Sequence, residues 1–162
     1  MIVIADTGPL ISLAHIKRLN ILDQLYPDYV IAQGVYQELV NYKRIDFDEY
    51  DVLKVRQHIR TIHAEIRPPL TELGLGEAES ILLLKELNGD AFLTDDMEAR
   101  RVAETMQITC FGTLALLLQA KSSGLIDSLK PLLIELVAHR RYYFQRFNCA
   151  CFTTRWRIMK SE

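Results

Sequence analysis

Nowhere does the sequence hold the run of roughly 20 apolar residues that a helix needs to cross a bilayer, which argues against a membrane role. Cysteine is scarce. Cys110, Cys149 and Cys151 are too few and too oddly placed for a disulfide framework. The opening Met1-Ile2-Val3-Ile4-Ala5-Asp6 has no basic region and meets an acid at once, unlike a secretory signal peptide, so the expected location is cytoplasmic. There is no Walker A loop, no GxGxxG and no GxSxG, so P-loop, dinucleotide-binding and serine-hydrolase chemistry have no foothold. His15, His58, His63 and His139 show no metal-ligand spacing, and Cys149-Ala150-Cys151 lacks partners for zinc.

What is present suits a globular α/β protein. The chain has 162 residues, 49% hydrophobic and 25% charged, enough for one ordinary domain with a full core. Its net charge of −2 hides an asymmetry. From Arg140 onward stand six bases (Arg140, Arg141, Arg146, Arg155, Arg157, Lys160) against one acid, Glu162; removing them from the totals of 19 and 21 leaves 13 bases and 20 acids before them. Such an acidic body argues against broad duplex binding by a basic surface. It does not argue against a nucleic-acid substrate, because bound cations offset clustered carboxylates.

Short apolar runs alternate with helical periodicity. Ile2 to Ala5 reads as a buried strand, and Asp6-Thr7-Gly8-Pro9 as a turn into a helix over 10–25, with a break near Asn20. A second strand is expected at 29–32, helices at 34–42 and 46–60, and a helix over 77–87 opened by Gly74-Leu75-Gly76. Asn88-Gly89-Asp90 stops it; a strand at 91–94, a helix from Asp95 or Asp96 to Met106, a strand at 108–111 and helices at 113–123 and 127–138 follow. Strands spaced by helices imply crossovers and a parallel sheet. The domain is expected over 1–138, with 139–162 an extension of different composition and no assigned structure.

Ligands of open parallel sheets gather beyond the carboxyl ends of the strands. Asp6 ends the first strand and Asp95-Asp96 follow the strand at 91–94, so these acids are placed to converge, with the hydroxyls of Thr7 and Thr94 beside them. Ala99, Val102, Ala103 and Met106 mark the inward stripe of the helix after Asp96, and Asp96 continues that stripe. Asp95 reads either as a ligand or as an N-cap completed by Glu98. Glu77 shares a face with Ile81 and Leu84, whereas Glu79, about 200° away, reads as a surface residue. An inward Glu77 would need a balancing cation, though a carboxylate in the first helical turn is also favourable for its own sake. Glu38 lies on a partly apolar face between Val35 and Tyr42 and reads either as a functional acid or as a solvated edge glutamate; Arg100 and Arg101 read either as phosphate contacts near the helix mouth or as ordinary exposed helix arginines. Oxygen ligands without thiolate or imidazole suit Mg²⁺ or Mn²⁺.

Five segments, IADTGPLISLA (4–14), VYQEL (35–39), LGEAESILLL (75–84), FLTDDMEARRVAETM (92–106) and FGTLALLLQAKSSGLI (111–126), resemble in order and spacing the PIN-domain family, in particular small prokaryotic members similar to VapC-type toxins. The resemblance covers residues 1–138. It implies a three-layer α/β/α fold with a central parallel sheet of four or five strands. It also implies a catalytic acid set of Asp6, Glu38, Glu77 and the Asp95-Asp96 pair, with Asp6, Glu77 and Asp96 as metal ligands and Glu38 as an outer ligand or water orienter. Thr7, Thr94, Arg100 and Arg101 are the candidate substrate contacts. The implied activity is Mg²⁺- or Mn²⁺-dependent cleavage of RNA by the toxin of a toxin–antitoxin pair, with an antitoxin protein and a second copy of the chain as expected partners. The alternative is a PIN fold that binds RNA or protein without cutting. A phosphoryl-accepting receiver domain fits poorly, because its acidic pair would follow the first strand rather than a later one.

Overall fold

The computed structural model describes residues 1–41 and 54–139. Contacts divide the chain into two units, Met1–Leu129 and Lys130–Glu162. In the first, β1 (Val3–Ala5), β2 (Ile31–Ala32), β3 (Ile59–Arg60), β4 (Ala91–Leu93) and β5 (Cys110–Phe111) alternate with helices α1 (Thr7–His15), α2 (Asn20–Leu25), α3 (Gln33–Asn41), α4 (Leu75–Glu86), α5 (Met97–Thr105) and α6 (Thr113–Ser122). In the second, α7 (Lys130–His139) is the described element.

Among the described residues all strand pairing is parallel: β4 lies between β1 and β5, and β2 pairs with β3. The two sets are joined where Ala5 N–H donates to Val30 O at 2.9 Å and Val30 N–H to Val3 O at 2.8 Å, alongside an Ile4–Val30 bridge. The strand order is therefore β3-β2-β1-β4-β5. Val3, Ile4, Ala5, Ala91, Phe92 and Leu93 are all buried, as expected for strands covered on both faces. Helix α4 lies against β1, β2 and β4 and meets α3 and α5; α1 and α2 meet α6. The result is a three-layer α/β/α fold. Among the described residues, no helix is long and apolar enough to cross a membrane.

Three local expectations are corrected. The break expected near Asn20 in the helix over 10–25 falls just before it, where Lys17 takes a positive φ of 51°, and the first helix begins at Thr7 under the Asp6 cap rather than at Leu10. The helix predicted over 46–60 ends before Ile59, which pairs with Ile31 in β3; residues 46–53 lie outside the described residues. Two residues at a half-exposed sheet edge carry too little apolar alternation to announce a strand. The last helix starts at Lys130 rather than 127. Of the extension at 139–162, everything beyond His139 lies outside the described residues.

Candidate active site

The chain builds β1, β2 and β3 outward on one side, then crosses back to build β4 and β5 on the other. The point where strand order reverses lies between β1 and β4, and crevices form beyond the carboxyl ends at such points. Asp6 follows β1 directly, and its N–H donates to Leu93 O of β4 at 2.9 Å. Its carboxylate caps α1, Oδ1 accepting from Thr7 N–H at 2.7 Å, while Oδ2 accepts from the Thr94 hydroxyl at 2.9 Å. Asp6 is only 4% exposed. Burial pushes its pKa up to about 7 against the pull of those two hydrogen bonds, and the nearby Glu77 and Glu38 charges push the same way.

Glu38 reaches this place from α3, where its Oε2 accepts from the Thr7 hydroxyl at 2.6 Å. Glu77 sits in the first turn of α4, and its Oε2 accepts from Gly74 N–H at 3.0 Å. Its pKa is raised, first by burial and then by Asp96, Glu38 and Glu98, with the Gly74 bond opposing. Glu77 thus closes the first turn of α4, and Asp96, Glu38 and Glu98 act on it electrostatically. Asp6, Glu38, Glu77 and Asp96 share one electrostatic neighbourhood, and among the described residues none of the four forms an ion pair.

The Asp95-Asp96 pair divides its work differently from the capping-box reading. Asp96 caps α5, its Oδ1 accepting from Glu98 N–H at 2.8 Å and Ala99 N–H at 3.0 Å. Asp95 turns toward α6 and α1: its Oδ1 accepts from Thr113 N–H at 2.8 Å, and its Oδ2 from the Thr113 hydroxyl at 2.5 Å and the Ser12 hydroxyl at 3.4 Å. Asp95 is therefore not the cap, because it ties three elements together while the next residue closes the helix. Replacing Asp95 with alanine strips the buried Thr113 of its acceptor, and urea unfolding should show a loss of about 1–3 kcal/mol. Asparagine, which keeps one acceptor oxygen, should lose less.

Thr94 is fully buried and serves two acids, donating to Asp6 while accepting Asp96 N–H at 3.1 Å. Arg100 is half-buried and donates from Nη2 to Thr94 O at 3.0 Å and from Nη1 to Cys110 O at 3.5 Å, so it ties the residue after β4 to the start of β5. Arg101 is exposed and paired with Glu98. Glu79, read from helix phase as a surface residue, is half-buried and accepts Gly34 N–H at 2.6 Å. Neither that contact nor the tie from Asp95 to Ser12 and Thr113 has a sequence signal, because each joins positions far apart in the chain.

Among the described residues, no three Asp, Glu, His or Cys side chains are arranged to hold one ion together. Each acid is turned to a local donor, which leaves Asp96 Oδ2, Glu77 Oε1 and Glu38 Oε1 without a hydrogen bond among the described residues. The donor chemistry nevertheless suits a hard divalent cation: the groups that act electrostatically on the buried Asp6 and on Glu77 are carboxylates, with no described base among them.

Residues 2–152 match the family model described as PIN domain, a match that runs beyond residue 138, where the motif resemblance ends. Among solved structures, the chain is similar to a PilT N-terminus domain protein from the hyperthermophilic archaeon Sulfolobus solfataricus P2. The TM-score is 0.54 at 18% sequence identity, with 74% of this chain and 93% of that one covered, a likeness of fold. No curated protein matches the chain. The fold is of a nuclease type, and the chain belongs to the PIN domain family.

Proposed function

We propose that this protein is a Mg²⁺- or Mn²⁺-dependent endoribonuclease, the toxin component of a toxin–antitoxin pair. The observation that carries the nuclease reading is the position of Asp6: a buried carboxylate at the strand-order reversal, with Glu38 and Glu77 raising its proton affinity and no described base to offset them. Asp6, Glu77 and Asp96 are the residues that would hold the cation, and Glu38 would orient the attacking water. When bound, such a cation eases deprotonation of water and offsets charge on the attacking and leaving oxygens.

The remaining work falls to the chain's own groups. Thr94 fixes Asp6 and Asp96 relative to each other through its hydroxyl, and Thr7 holds Glu38. Arg100 ties the turn after β4 to the first residue of β5 through the carbonyls of Thr94 and Cys110. The toxin role rests on the likeness of the motifs to small prokaryotic PIN proteins. RNA, an antitoxin protein and a second copy of the chain are the partners proposed with it.

Incubating the wild-type protein with a mixed RNA pool should give cleavage with Mn²⁺ or Mg²⁺ and none after chelation. Product from both wild type and Asp6→Asn in equal amount would remove this site from the mechanism. Binding of RNA without product from either would make the protein a non-cutting PIN module.

A further inference from the structure

We propose that Glu79 is a positioning residue for Glu38, acting through the N-terminus of α3; the proposal rests on the nuclease reading for its effect on rate, not for its structural part. The first N–H groups of a helix have no partner within the helix, and a carboxylate there is favoured by the helix dipole. Gly34 is the second residue of α3, and its N–H donates to Glu79 Oε2 at 2.6 Å, a short charge-assisted bond from one helix to its neighbour.

The two helices touch where this bond forms. A Cβ on Gly34 would lie 3.1 Å from the Cα and N of Gly76, and 3.0 Å from Glu79 Oε2. A Cβ on Gly76 would lie 2.9 Å from Glu38 Oε1 and 3.2 Å from the backbone N of Val35. The backbones of α3 and α4 thus approach closely at Gly34 and Gly76, flanked by the Val35 side chain, and Glu38 lies over Gly76, one residue before Glu77. Glu38 is otherwise exposed and held by a single hydroxyl, from Thr7. What sets its place beside Glu77 is the fixed approach of α3 to α4, and Glu79 is the side chain that pins the near end of α3. Two acids of one helix therefore do different things: Glu77 faces the acid group, and Glu79, two residues on, holds the neighbouring helix that brings Glu38.

The test uses the full chain and two variants, Glu79→Ala, which removes the acceptor, and Glu79→Gln, which keeps an acceptor oxygen without charge. The nuclear Overhauser contact between the Glu38 side-chain protons and Gly76 Hα, with amide exchange at Gly34, reads the geometry without any cation or RNA. Glu79→Ala should lose the contact and exchange Gly34 faster; Glu79→Gln should keep both close to wild type. With RNA and Mn²⁺, Glu79→Ala should lower kcat by on the order of 10- to 100-fold at unchanged KM, the scale of a misplaced catalytic group, and Glu79→Gln should restore most of it.

In a Glu38→Gln background, Glu79→Ala should add little further loss, because both changes act through one side chain. An intact Glu38–Gly76 contact in Glu79→Ala overturns the proposal whatever the activity. So does a Gln variant as inactive as Ala, which would make the carboxylate itself the working group. If wild type cleaves no RNA while the contact follows the expected pattern, the nuclease reading falls and the positioning role of Glu79 stands.

Discussion

Asp6→Asn is expected to lower cation-dependent RNA cleavage by at least about 100-fold, since loss of even an outer partner of a metal ligand typically costs roughly 10–100-fold. The same change should leave the fold intact and make the cation-free protein more stable at pH 8. Asparagine is close to isosteric with the aspartate: its Oδ1 can still accept Thr7 N–H, and its amide can donate to the Thr94 hydroxyl oxygen, which already accepts from Asp96 N–H. What disappears is a charge whose burial is costly and whose neighbours are acids.

The pH dependence follows from the same carboxylate. Folded Asp6 holds its proton up to about 7, against an ordinary value of 3.8. Between those values the folded state binds more protons than the unfolded chain, so this group's contribution lowers stability as pH rises through that window and changes little above it. Wild type and Asp6→Asn should therefore melt at similar temperatures near pH 4 and diverge by pH 8, with the variant higher. Saturating Mn²⁺ should raise the wild-type Tm most at pH 8, where the cation no longer competes with the proton, and should barely move the variant. An equal Mn²⁺-induced rise in both would place the cation elsewhere. Cleavage by wild type should likewise increase as pH climbs toward 7.

How far the sequence foretold this arrangement depends on how local the cause was. Ile2 to Ala5 and Ala91 to Leu93 are apolar runs bounded by turn residues, and burial on both faces makes such runs legible. Asp6 and the Asp95-Asp96 pair could be placed at strand ends because position along the chain decides that. The division of labour within the pair could not be read the same way. Asp96 became the cap because α5 begins at Met97 rather than Asp96, and helix boundaries are the least certain feature of a pattern. Asp95 then faced Ser12 and Thr113, 83 and 18 residues away, a pairing that only tertiary packing creates. Glu79 shows the same limit from the other side. Periodicity assigns a residue to a face of its own helix, yet α4 is buried around much of its circumference, with Ala78, Ser80, Ile81, Leu83 and Leu84 all covered. On such a helix the face away from the sheet meets another helix rather than water.

That crowding makes Gly76→Ala the second change with a large expected effect. On helix propensity alone, alanine in place of glycine would stabilise α4 by up to about 1 kcal/mol. The new methyl, however, would stand 2.9 Å from Glu38 Oε1 and 3.2 Å from both the backbone N and the Cγ2 of Val35. A carboxylate can swing aside; the Val35 backbone moves only if α3 moves with it. Forcing a methyl into a packed contact costs about 1–3 kcal/mol, so the net result in urea unfolding should be destabilisation in spite of the better propensity. Cleavage should fall as well, because Glu38 is the first group displaced. Gly124→Ala is the matched comparison. Gly124 has a φ of 73° with nothing within 4 Å of the added methyl, so alanine there is strained by about 1–2 kcal/mol but touches nothing. It should lose stability on a similar scale and keep its activity. A Gly76→Ala protein as stable and as active as wild type would mean that α3 and α4 do not meet backbone to backbone, and that Glu38 is brought beside Glu77 by something other than their contact.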